Sequence, residues 1–252
     1  MKLVDNKILL YFAYPEQIVD PGLLDQYRSL LTNDELVQAD RFFAPRHRHQ
    51  YLITRALIRT SLSAHFPVDP ADWRFEKNKF GKPEICNPDK TLSVRFNISH
   101  TNGLIMCGIV NNQNIGVDVE DTRRSTSAAL SSLSSYFSAR EIEDLGKLPA
   151  RQQKKRFFEY WTLKEAYIKA RGAGFSIPLH KFSFLYQEHS LSGFSIHPDL
   201  EDSADNWQFW RLPVADRYLA AVAINSASAD LSVSAVNSVP LKGDEPMALN
   251  FL

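Results

Sequence analysis

The sequence predicts an α+β protein made of two similar halves, each a small antiparallel sheet packed with helices. Three observations predict it. Short apolar runs of β-type residues are bounded by turn residues, and they are interspersed with longer stretches at helical spacing. A unit of helix cap, helix, polar joint and apolar helix occurs twice. Thr32-Asn33-Asp34-Glu35 and Ser138-Ala139-Arg140-Glu141 are both capping boxes, in which the hydroxyl and the glutamate each satisfy one free backbone N–H. Each is followed by a similar segment, Thr54-Arg55-Ala56-Leu57-Ile58-Arg59 in the first copy and Lys164-Glu165-Ala166-Tyr167-Ile168-Lys169 in the second. Between box and segment the second copy is longer by four residues. The spacing points to a duplication, with halves expected at 1–102 and 103–252 that meet near Thr101 to Gly103. A cleft between such halves is a natural pocket.

Composition narrows the function classes. The 252 residues are 44% hydrophobic and 23% charged, which is ordinary for a globular protein with an ample core. The formal net charge is zero, so no overall field favours nucleic acid or a membrane, and any recognition of a polyanion must be local. Cys86 and Cys107 lie in unlike surroundings and make no metal-ligand spacing, which favours a reducing, cytoplasmic setting over a disulfide framework. The apolar stretch near the N-terminus is broken early by Asp5, Pro15 and Glu16 and reads as a first strand instead of a signal peptide. No apolar run approaches the roughly 20 residues of a membrane span.

In chain order, Ile8 to Tyr14 is a strand that Pro15 and Pro21-Gly22 end. A helix runs from the first capping box toward Ala44-Pro45, and a second covers about Arg48 to His65, closed by Pro67 and Pro70. Asp72 to Glu76 is a short strand, and Asn78 to Pro83 is turn chemistry. Val94 to Ile98 and Leu104 to Val110 are strands joined through Ser99-His100-Thr101-Asn102-Gly103, with Asn-Gly at the tip. Ile115 to Glu120 is a strand. Leu145 to Lys155 reads as a loop or weak helix end. The segment from Phe157 is a helix, stopped by Gly172, Gly174 and Pro178. Phe182 to Tyr186, Trp207 to Leu212 and Tyr218 to Ile224 read as a closing antiparallel sheet. The tail alternates at Leu231, Val233 and Ala235 and is expected to fade through Pro240, Gly243 and Pro246 into poor order.

Three stretches carry candidate chemistry. On the strand Gly116-Val117-Asp118-Val119-Glu120, residues two apart share a face, so Asp118 and Glu120 present paired carboxylates. Like charges that close call for a counter-cation, most simply Mg²⁺ with oxygen ligands. Zinc is disfavoured, with no cysteine or paired histidines nearby. On the helix, Trp161, Glu165 and Lys169 recur at one face. An isolated Glu-x-x-x-Lys reads as a solvated ion pair, but Glu165 also offers a third carboxylate. Trp161 is the anchor that seats the helix, with no chemistry assigned. Ser99 and His100 are poorly placed as nucleophile and base, since they are adjacent on one backbone, and read better as donors to a phosphate. Arg41, Arg46, His47, Arg48, His49 and Arg55, with Lys79 and Lys82, form a local basic cluster that suits phosphate and lacks the interleaved aromatics of a nucleic-acid surface. Together these residues describe a metal-assisted phosphate site.

Phe96-Asn97-Ile98-Ser99-His100, Ile115-Gly116-Val117-Asp118-Val119-Glu120 and Trp161-Thr162-Leu163-Lys164-Glu165-Ala166-Tyr167-Ile168-Lys169, in this order and with Gly81-Lys82-Pro83, resemble the motifs of the Sfp-type 4′-phosphopantetheinyl transferases. The resemblance spans about Arg41 to Pro178, and the residues after Pro178 match no motif. It implies a pseudo-dimer of two α+β halves on one monomeric chain. It also implies transfer of phosphopantetheine from coenzyme A to a serine of an apo acyl, aryl or peptidyl carrier protein, releasing adenosine 3′,5′-bisphosphate. Asp118, Glu120 and Glu165 would hold Mg²⁺, with Glu165 also the base. Lys169 would neutralise the leaving phosphate. Ser99, His100 and Lys82 would contact the coenzyme's phosphates, and Arg48 its 3′-phosphate. Another Mg²⁺-dependent phosphate transfer or nucleotide hydrolysis, and a silent module that holds carrier domains, are the alternatives. No nucleic acid or membrane partner is expected.

Overall fold

The structure, a computed structural model, describes residues 6–87, 93–126, 133–188, 190–226 and 230–252. The chain divides into two α+β units. The first comprises Met1–Lys77, Pro83–Asn112 and Asp230–Leu249, and the second Asn78–Lys82, Gln113–Ala229 and Asn250–Leu252. The division expected at 102/103 therefore falls at 112/113. The reason is hydrogen bonding: strand β5 (Leu104–Asn111) pairs antiparallel with both β1 (Lys7–Ala13) and β4 (Val94–Thr101), which holds it in the first unit.

The first unit is a five-stranded sheet in the order β12-β11-β1-β5-β4. The C-terminal segment does not fade. Strand β11 (Ser232–Val239) runs parallel to β1, and β12 (Gly243–Met247) pairs with β11. The alternation at Val233 and Ala235 was that strand's signal. Helices α1 (Pro21–Leu30), α2 (Asn33–Asp40) and α3 (Pro45–Ser63) complete this unit, with α3 packed against β1 and β5. The capping box at Thr32 forms as expected, with Glu35 accepting from the Thr32 N–H at 3.0 Å. Helix α2 stops at Asp40 and α3 begins at Pro45, whose fixed φ and missing N–H suit the first helical turn. Leu57, Ile58 and Ile53 are fully buried with Trp73 in the core; each such aliphatic side chain contributes about 1.5–3 kcal/mol. Strands β2 (Phe75–Lys77) and β3 (Pro83–Ile85) form a separate hairpin.

The second unit has the antiparallel sheet β6-β10-β9, from Asn114–Asp121, Tyr218–Asn225 and Trp207–Val214, and a hairpin of β7 (Phe182–Gln187) with β8 (Ser190–Ile196). Leu145 to Lys155 is not a loop. Helix α4 (Ala139–Lys147) runs through its start, and α5 (Ala150–Arg171) begins directly after Pro149. The polar composition misled here because only the first turns of α5 are solvated; from Arg156 the helix is core. Among the described residues, no helix is long and apolar enough to cross a membrane.

Candidate active site

Helix α5 carries one feature that periodicity alone underrates. From Arg156 to Ala170 every residue is buried except Trp161, Glu165 and Lys169, which form a half-open stripe at i, i+4 and i+8. A helix walled in on its other faces does not place Glu165 and Lys169 as a casual surface pair. Its C-terminus is set by Gly172, in the left-handed region at φ 67°, whose N–H bonds to the carbonyls of Ile168 and Lys169.

Strand β6 reaches this stripe through Gly116. A Cβ at position 116 would lie 2.0 Å from the carbonyl oxygen of Ala166 and 2.4 Å from the nitrogen of Ala170. Only glycine lets strand and helix backbones approach so closely. Gly116 is thus a positioning residue that sequence reasoning quoted within a motif without assigning it a task; an isolated glycine inside a strand was its signal.

Asp118, Glu120 and Glu165 are close enough to act on one another's charge, and each is differently engaged. Asp118 is buried and its Oδ1 accepts from Lys169 Nζ at 2.6 Å. Glu120 Oε2 accepts from Arg124 at 2.6 Å, and Oε1 accepts from the Trp161 indole N–H at 3.1 Å. Glu165 Oε1 is buried with no hydrogen-bond partner among the described residues. Burial, then the neighbouring charge of Asp118, pushes the Glu165 carboxyl up to about 7; Lys169 opposes this and Glu120 adds to it. Glu120 is also raised, first by burial and then by Asp118, against the pull of Arg124 and Trp161. The site has more negative charge than its own cations relieve. Among the described residues, no three histidine, cysteine, aspartate or glutamate side chains converge into a ready-made metal cage.

Trp161 is more than the anchor its position suggests: it stacks on Phe157, with ring centroids 6.0 Å apart, and its indole N–H also holds a site carboxylate. Arg124 was not singled out at all, since nothing in its local sequence distinguishes it.

Lys82 lies at the C-terminus of α5. In the loop Asn78–Lys82 its ammonium donates to the carbonyls of Lys169 at 2.8 Å, Ile115 at 3.2 Å and Ala170 at 3.4 Å. It caps the last carbonyls of α5, where a cation also complements the helix dipole. Asn78 reinforces the clasp by donating to the Gly172 carbonyl at 3.0 Å.

The remaining predicted residues lie in the first unit. Ser99 and His100 are not in a turn. They pair within the ladder, opposite Met106 and Ile105, and the hairpin turns only at Asn102-Gly103, because a two-residue Asn-Gly loop suffices. Ser99 is buried and His100 exposed, as adjacent strand residues on opposite faces should be. Arg48 sits in the first turns of α3 and donates to the Phe42 carbonyl at 3.2 Å.

Comparison with known proteins agrees with this division of the chain. Residues 22–109 match the family model "4′-phosphopantetheinyl transferase, N-terminal", and residues 114–223 match "4′-phosphopantetheinyl transferase superfamily". The chain is similar to the 4′-phosphopantetheinyl transferase HetI of Nostoc sp., at 33% identity over 80% of this chain and 81% of the relative. It is also similar to the 4′-phosphopantetheinyl transferase Sfp of Bacillus subtilis, at 30% identity over 73% of this chain and 79% of the relative. A solved holo-(acyl-carrier-protein) synthase from Bacillus anthracis aligns with 46% of this chain and 96% of its own at a TM-score of 0.37 and 14% identity, a likeness too slight to argue from. Two matched halves, the relatives' identity over most of their length and the order of the motifs lead to one conclusion: the chain belongs to the Sfp-type 4′-phosphopantetheinyl transferase family.

Proposed function

We propose that this protein moves 4′-phosphopantetheine from coenzyme A to a serine hydroxyl of an apo acyl, aryl or peptidyl carrier protein, with a divalent cation, as a cytoplasmic monomer. The observation that supports this most is the single half-open stripe of α5, Trp161, Glu165 and Lys169, joined to Asp118 and Glu120 by the contacts of Lys169 and Trp161.

The donor set fits a hard cation. Its atoms are all carboxylate oxygens, one of them, Glu165 Oε1, is buried without a partner among the described residues, and burial, then the charge of Asp118, raises both glutamates. Asp118, Glu120 and Glu165 would hold it. When bound, such a cation, most simply Mg²⁺, screens the pyrophosphate charge that repels an incoming hydroxyl.

The protein's own residues supply the rest. Glu165 would accept the serine proton as general base. The serine oxygen bonds to the β-phosphorus of coenzyme A, the bond from that phosphorus to the bridging oxygen breaks, and adenosine 3′,5′-bisphosphate leaves with the electron pair. Lys169, one turn beyond Glu165, neutralises charge on the departing phosphate. Ser99 and His100 are the proposed contacts to the coenzyme's phosphates, and Arg48 to its 3′-phosphate.

Incubation with coenzyme A, Mg²⁺ and an apo carrier tests the reading by intact mass. A gain of one phosphopantetheine group, lost when the carrier serine is replaced by alanine, supports it. Coenzyme breakdown with an unmodified carrier would establish hydrolysis instead, and no reaction would leave only a binding module.

A further inference from the structure

The two oxygens of Glu120 have unlike partners. Oε1 accepts from the neutral Trp161 indole N–H at 3.1 Å, and Oε2 from the Arg124 guanidinium at 2.6 Å. The indole is stiffly held. Its ring lies at 8° to Phe157 and meets Tyr136 edge-on with centroids 5.4 Å apart. Arg124 is the opposite case, with its side chain 59% exposed just after β6 ends.

We infer that Trp161 is a positioning residue that orients Glu120, and that Arg124 is a placeholder cation that leaves Glu120 Oε2 when a divalent cation binds. The inference rests on the reading that the carboxylate cluster takes such a cation. A neutral donor fixed by stacking can hold one oxygen and restrict the carboxylate's rotamers without competing for its charge. Partners of this kind commonly set the affinity of the ligand they hold. An exposed guanidinium competes directly for charge but weakly, because water solvates it as it departs.

Titration of the protein with Mn²⁺, followed by electron paramagnetic resonance without coenzyme A or carrier, separates the two roles. Trp161→Phe keeps a ring against Phe157 and removes the N–H; it should weaken Mn²⁺ binding by about tenfold. Arg124→Gln should tighten it by about two- to fivefold, the reach of an exposed ion pair. Arg124→Lys should stay near wild type. A merely structural role would move the melting temperature and would not shift the two affinities in opposite directions. Wild-type affinity in Trp161→Phe, weaker binding in Arg124→Gln, or no Mn²⁺ uptake by the wild-type protein would each overturn the inference. The carrier mass assay is independent. Wild-type protein that modifies the carrier while the Mn²⁺ affinities stay unmoved leaves transfer standing and removes only the positioning argument.

Discussion

The two units solve the same local problem and end with opposite charge. In each, a capping-box glutamate serves as counter-ion to a base on the following long helix. Glu35 meets Arg55 and Arg59, while Glu141 meets Lys164 at 2.8 Å. At the repeat's spacing, Tyr51, Arg55 and Arg59 of α3 stand where Trp161, Glu165 and Lys169 stand in α5. In the first unit the stripe is basic and the capping glutamate pairs with both of its arginines. Burial works to raise Glu35, but Arg55, the Thr32 N–H and Arg59 together hold it below the usual range. In the second unit the capping glutamate is spent on fully buried Lys164, and the stripe carries Glu165 beside two strand carboxylates. One scaffold thus yields an ion-paired basic stripe in one copy and an acidic cluster with excess charge in the other. Unrelieved charge is what a functional site retains and a structural one removes.

The sharpest way to break this contrast is Glu165→Gln. Transfer should fall by about 10²–10⁴-fold, the range of a lost general base, while the circular dichroism spectrum stays unchanged. Holo-carrier formation followed by mass checks it, and near-wild-type turnover would remove Glu165 from the chemistry.

The next effect separates the two capping glutamates. Glu141→Gln leaves the Lys164 charge uncompensated with both partners at 0% exposure, so urea unfolding should show a loss of about 3–5 kcal/mol. Glu35→Gln should cost less, because Glu35 and Arg55 retain 13% exposure, although Arg59 beside them is fully buried. Equal losses would mean that the two pairs are buried alike.

Gly116→Ala should cost about 1–3 kcal/mol, as overpacking does, and lower transfer with it, since the added methyl meets the backbone of α5 and not a movable side chain. Unfolding curves and transfer rates on the same variant should fall together.

The last effect concerns pH. Glu165 is raised from 4.5 to about 7 on folding, so the folded protein binds more protons than the unfolded chain between those values. Stability in EDTA should therefore decline as pH rises from about 4.5 through about 7, and the decline should flatten in Glu165→Gln. Melting temperatures across that window provide the check.

Much of this was legible in residue order. Both capping boxes formed where Thr-x-x-Glu and Ser-x-x-Glu placed them, because that reciprocity is local and needs no partner beyond three residues away. The carboxylates of Asp118 and Glu120 followed from strand alternation, and the stop of α5 from Gly172. The loop or weak helix end expected over Leu145 to Lys155 holds only as the end of α4 at Lys147; beyond it, polarity in the first turns of α5 concealed a helix whose stability comes from its later, buried face. The C-terminal segment failed for a complementary reason. Alternation at Val233 and Ala235 marks β11, but its parallel partner β1 lies more than two hundred residues earlier, and no local pattern records that pairing.

The sequence by itself determined the family, the two α+β halves and the residue types of the acidic cluster, since those depend on short-range periodicity and on motifs in order. Tertiary structure alone decided what each group does there. Lys82 became a helix cap, Trp161 a donor to Glu120, Arg124 a neighbour of the site, and Gly116 the point where strand and helix meet. Hydrogen bonds and burial join atoms that are distant along the chain, and a proton affinity such as that of Glu165 is set by what surrounds the carboxyl more than by what precedes it.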